Sequence, residues 1–103
     1  MQAQELLQRI KSNNAPVIVD TRSEMEFKGG HIPGAINAPV RKILLHRAQL
    51  PQDRSREMVI TCMHGQRAKT AKFLLGLYGY RNMDLLEGFL EDWKAAGLPV
   101  ETT

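Results

Sequence analysis

Val59-Ile60-Thr61-Cys62-Met63-His64-Gly65-Gln66-Arg67-Ala68 runs from a strand pattern into a helix pattern through one short loop. Met58 to Thr61 is apolar and largely β-branched, the composition of a buried strand. Gly65 supplies a backbone angle that side chains resist. From Gln66 onward Ala68, Ala71, Leu74, Leu75 and Tyr78 recur at helical spacing, and Gly79 ends the run. Cys62 therefore stands at the carboxyl end of a strand, where open α/β sheets place their sites. A loop of this kind turns successive backbone N–H groups inward, and the positive end of the following helix adds to them. The sequence thus predicts an anion cradle that favours the cysteine thiolate without a neighbouring base.

Outward from this segment, strand and helix signals alternate. Ala3, Leu6, Leu7 and Ile10 mark a first helix, broken at Asn13 to Pro16, and Val17-Ile18-Val19 reads as a short strand ending in Asp20. Ser23 with Glu26 is a capping-box pair for a helical turn closed by Gly29-Gly30. A Pro-Gly turn at His31 to Ala35 leads to a brief strand near Ile36 and Asn37. A helix is predicted over Val40 to Leu50, stopped by Pro51, then a weaker strand over Met83 to Leu86 and a last helix around Phe89, Leu90 and Trp93. This alternation implies an α/β fold, a mainly parallel sheet covered by helices on both faces, formed by residues 1-103 as a single domain.

Composition narrows the function classes. With 43% apolar and 24% charged residues the chain is globular, and no stretch is long and apolar enough to span a bilayer. A lone cysteine excludes an internal disulfide, a CxxC redox pair and a cysteine-built zinc site. It points to a reducing compartment, so a cytoplasmic location is expected, with the periplasm open if a leader preceded Met1. The net charge of +3 is segregated, with nine basic and two acidic residues between Arg41 and Arg81. The basic residues alternate with core positions, which favours solvated helix faces over a nucleic-acid surface, and their field draws small anions toward Cys62.

Arg67 admits two readings from spacing alone, a surface arginine on the first helical turn or a fixed cation over the sulfur. The helix dipole disfavours an arginine there, which leans toward a role. Asp20 and Arg22 read locally as an ion pair or a solvated turn. His31, His46 and His64 show neither ligand spacing nor an acidic partner in the sequence, so no metal site is expected.

Val17-Ile18-Val19-Asp20-Thr21-Arg22, Glu26-Phe27, Gly30-His31-Ile32-Pro33-Gly34-Ala35-Ile36-Asn37, Cys62-Met63-His64-Gly65-Gln66-Arg67, and Trp93 before Gly97-Leu98-Pro99-Val100 together resemble the rhodanese domain, in order and spacing, over nearly the whole chain. The resemblance implies a sheet of about five strands, that Cys62 is the nucleophile of a sulfurtransferase, and that Met63, His64, Gly65, Gln66 and Arg67 complete its active-site loop. It implies that Asp20 and Arg22 form a buried pair tying the first strand's end to that loop, and that the Gly30 to Ala35 turn is structural. Ala68 replaces a hydroxyl residue of many members, and Glu87 stands where the family often has a first glycine before Gly88.

The implied reaction is a ping-pong double displacement through a Cys62 persulfide. A small anionic donor, thiosulfate or a persulfide, loads the sulfur, and a thiol or cyanide removes it. No cofactor is called for, the acceptor includes a protein thiol among its candidates, and a monomer suffices. A phosphatase or arsenate reductase places five residues between cysteine and arginine, whereas four separate Cys62 from Arg67. A non-catalytic binding module needs neither residue.

Overall fold

The computed structural model describes residues 1–103. Strand β3 (Met58–Thr61) is buried along its whole length, as its unbroken apolar pattern requires. It pairs in parallel with β1 (Val17–Asp20) on one side and β4 (Met83–Leu85) on the other, and β1 pairs in parallel with β2 (Ile36–Asn37). The sheet order is β2-β1-β3-β4. In this register Asp20 lies opposite Thr61, so the ends of the two central strands bring Thr21 and Cys62 together.

Alternation along the central strands sorts the core. Val19 and Ile60 face α3 (Val40–Leu44) and α4 (Gln66–Leu77), burying Ile43, Ala68, Ala71 and Leu75. Ile18 and Val59 face α1 (Ala3–Lys11) and α5 (Phe89–Ala95), burying Leu6, Leu7, Leu90 and Trp93. Helices therefore cover both faces. A short α2 (Glu24–Lys28) crosses the carboxyl end of the sheet after β1, and its capping box forms as the sequence predicts, with Ser23 accepting from the Glu26 amide.

The sheet has four strands where about five were expected. The outer side of β4 is met by Met1, whose amino group donates to Leu85 O at 2.8 Å and whose carbonyl accepts from the Glu87 amide at 2.8 Å. The chain enters α1 at Ala3, so one residue makes a strand-like pair and no fifth strand develops.

The helix expected over Val40 to Leu50 stops at Leu44. His46 adopts a left-handed conformation (φ 56°), and the amides of His46 and Arg47 return to Ile43 O and Lys42 O at 3.0 and 2.7 Å. That pattern is a Schellman ending. The ends of α1, at Asn13, and of α4, at Gly79, are built the same way.

Candidate active site

Cys62 follows β3 and is 1% exposed. Its Sγ accepts the Gly65 amide at 2.9 Å and the Ala68 amide at 3.4 Å. These donors come from the loop and from the first turn of α4, which Gly65 opens in a left-handed conformation (φ 111°). The missing hydroxyl at Ala68 thus leaves the sulfur's second donor in place, because the donor is the backbone.

The loop is held from the far side by α5. The Leu90 amide donates to Cys62 O at 3.0 Å and the Glu91 amide to Met63 O at 3.1 Å. Gly65 lies under the Phe89 ring, so closely that a Cβ there would sit 2.4 Å from ring carbon Cε2. Glu87, the departure from two glycines, has no positive φ, whereas Gly88 does (φ 73°). Of the two positions where the family often has glycine, the second is the left-handed one, and it has glycine; Phe89 after it is left-handed too (φ 54°). Met63 is half-buried against the α1–α5 side of the core, while His64 and Gln66 are exposed.

Arg67 is not a free cation over the sulfur. Its Nη1 and Nη2 grip Glu26 of α2 at 2.6 and 3.1 Å, a two-pronged pair that is partly open to solvent. The Arg67 guanidinium holds the Glu26 carboxyl down at about 2, helped by hydrogen bonds from Ser23, while Glu26 raises Arg67 further above its already high value. One carboxylate therefore closes the capping box of α2 and clasps the first turn of α4.

Asp20 and Arg22 form a buried pair, each 1% exposed, with Nε donating at 3.0 and 3.1 Å and Nη2 at 2.8 Å. The remaining reach of Arg22 goes to Gly30 O at 2.7 Å, in the Pro-Gly turn region, rather than to the residues Met63 to Arg67. The tie from this strand end to the cysteine strand is made by Thr21, whose amide and hydroxyl both donate to Thr61 O at 2.9 and 3.0 Å. Asn37 adds donors to Asp20 O and Arg22 O. Neither Thr21 nor Asn37 carries a local signal beyond the family pattern.

Two of the three histidines do have acidic partners, contrary to the reading from sequence, while His46 lies against Tyr78. His64 Nδ1 lies 2.8 Å from Glu91, and His31 Nε2 lies 3.3 Å from Glu101, at separations along the chain that no local pattern exposes. No three His, Cys, Asp or Glu side chains are gathered so as to hold a metal.

The sequence pattern of the family described as Rhodanese-like domain matches residues 2–96. The chain belongs to the rhodanese family. Among curated relatives, slr1261 of Synechocystis is 36% identical, with 98% of this chain matching 55% of that protein. A protein named Sulfurtransferase from Allochromatium vinosum is 32% identical over 95% of this chain and 90% of its own length. The chain thus spans only about half of the first relative and nearly all of the second. Among solved structures, Alr3790 from Anabaena superposes with a TM-score of 0.88 at 30% identity, covering 100% of this chain and 82% of that one. Relatives named as sulfurtransferases are thus among the proteins this chain is similar to.

Proposed function

We propose that the chain is a thiosulfate sulfurtransferase working through a Cys62 persulfide. The observation that carries this reading is the seat of the only cysteine, with the Gly65 and Ala68 amides directed at its Sγ from the loop and the helix start. Donors so arranged suit a sulfur that carries negative charge both before and after loading. A relative named Thiosulfate sulfurtransferase GlpE, from Haemophilus influenzae, 28% identical over 99% of this chain, supports thiosulfate as donor.

In the first half-reaction the Cys62 thiolate attacks the outer sulfur of thiosulfate. A new S–S bond forms, the old one breaks, and sulfite leaves with its electron pair. In the second, an acceptor thiolate or cyanide bonds to the outer sulfur and Cys62 departs as thiolate. The cycle needs an unoxidised cysteine, and we place the chain in the cytoplasm, acting as a monomer. Met63 and His64 shape which donor and acceptor fit, Gly65 and Gln66 set the loop's turn, and Arg67 fixes its far end through Glu26.

Intact-mass measurement tests the reading. Reduced, folded protein mixed with thiosulfate is expected to gain one sulfur atom, and Cys62→Ala to gain none and to lose thiosulfate:cyanide turnover. An unchanged mass in the unsubstituted protein overturns it. Hydrolysis of an aryl phosphate at a rate rivalling sulfur transfer would instead favour the phosphatase chemistry.

A further inference from the structure

The chain has one cysteine, so a sulfur loaded on Cys62 has no internal thiol to receive it and must leave to an outside acceptor. An ordinary aliphatic thiol is mostly protonated near neutrality and attacks as thiolate, so discharge requires that a proton be taken. His64, two residues beyond Cys62, is 70% exposed along its side chain, and its Nδ1 lies 2.8 Å from Glu91 Oε2. This pairing is registered by backbone. The Leu90 and Glu91 amides bond to Cys62 O and Met63 O, which locks the first turn of α5 against the loop and carries the Glu91 carboxylate to His64. A neutral imidazole whose Nδ1–H points at a carboxylate keeps its lone pair on Nε2. As a surface ion pair the contact would contribute little to stability.

Building on the sulfurtransferase reading, we propose that His64, positioned by Glu91, accepts the proton of a neutral thiol as that thiol attacks the Cys62 persulfide. The acceptor class is therefore a protonated thiol, carried by a small molecule or a protein. In this step the acceptor S–H gives its proton to Nε2, and the acceptor sulfur bonds to the outer sulfur. The Cys62 S–S bond breaks, Cys62 leaves as thiolate, and the imidazolium later loses its proton to water. Glu91 fixes the ring's tautomer and offsets its charge during transfer.

The test uses the full chain loaded with sulfur by thiosulfate, freed of excess donor and followed by rapid mixing with one of two acceptors. The first is 2-mercaptoethanol; the second is sulfite, at a pH where it is the dianion and has no proton to give. His64→Gln is expected to slow discharge to the thiol about 100-fold more than discharge to sulfite, the scale of a general-base contribution. Glu91→Gln should shift the same ratio less. Added imidazole should restore thiol discharge in His64→Ala, a rescue that a residue only shaping the loop would not give. Equal losses with the two acceptors, or no rescue by imidazole, overturns the proposal. Failure of the unsubstituted chain to load any sulfur overturns instead the sulfurtransferase reading on which it rests, and the mass measured before mixing tells the two apart.

Discussion

At Gly65 two requirements meet in one residue. Its φ of 111° lies where a side chain is strained, and a Cβ would enter the Phe89 ring. Gly65→Ala is expected to cost about 3 kcal/mol, from backbone strain and overpacking together, lowering Tm by roughly 15 °C. It should also displace the amide that reaches Sγ, so sulfur uptake measured by mass should fall. Adding Phe89→Ala should recover the overpacking part and leave the strain. The glycine itself was legible as a turn residue in the motif. Its neighbour Phe89 was not, because the two are joined only when α5 docks on the loop. The same holds for Glu91 beside His64, and for Thr21, whose bonds to Thr61 exist only in the paired sheet. Residues that act through the local chain were readable, and residues that act across it were not.

Between elements, the Glu26–Arg67 clasp joins α2 to α4. The Glu26 carboxyl is held at about 2 in the folded chain, below its ordinary 4.5, so protonation favours the unfolded state. The clasp's contribution is thus fully present above pH 4.5 and lost as pH falls through about 2. Glu26→Gln keeps an N3 side chain able to serve the capping box but removes the charge. Urea unfolding should show it less stable than the unsubstituted protein by about 1 kcal/mol at neutral pH, after solvent screening of a partly exposed pair. The difference should shrink as pH falls through about 2 and vanish below it. Element boundaries were legible according to their chemistry. Gly79 and Asn13 announce the ends of α4 and α1, since both residue types accept left-handed backbone. His46 ends α3 in the same geometry without a signal, and the helix predicted to reach Leu50 stops six residues early. The residue pattern itself marks four strand segments, and the sheet is built of those four.

For the molecule as a whole, the Asp20–Arg22 pair is a fixed point linking distant parts. Arg22 bonds Gly30 O, the neighbouring His31 exchanges backbone bonds with Glu101 at 2.9 and 2.8 Å, and Gly34 N–H donates to the Glu101 carboxylate. The first strand, the Pro-Gly turn and the C-terminal segment are held in sequence through one buried cation. Arg22→Met should leave a buried carboxylate unpaired and cost about 3 to 5 kcal/mol. That is a large part of the roughly 5 to 15 kcal/mol that a domain has. Converting both partners, Asp20→Leu with Arg22→Met, should return much of the loss in thermal unfolding, since the buried charge is then gone. The alternating pattern made the layered fold readable, and the family motif made the buried pair recognisable. The further partner of Arg22, Gly30, was not readable, because the whole of α2 lies between the two.

The near-complete burial of Cys62 also bears on time. Burial of this degree shields the sulfur from alkylating reagents, so labelling of the folded chain should be slower than labelling of the urea-unfolded chain, although the atom stands two residues from an exposed histidine. On the proposed function, a sulfur atom carried there would share that shelter, so the cradle guards its cargo as well as seating it.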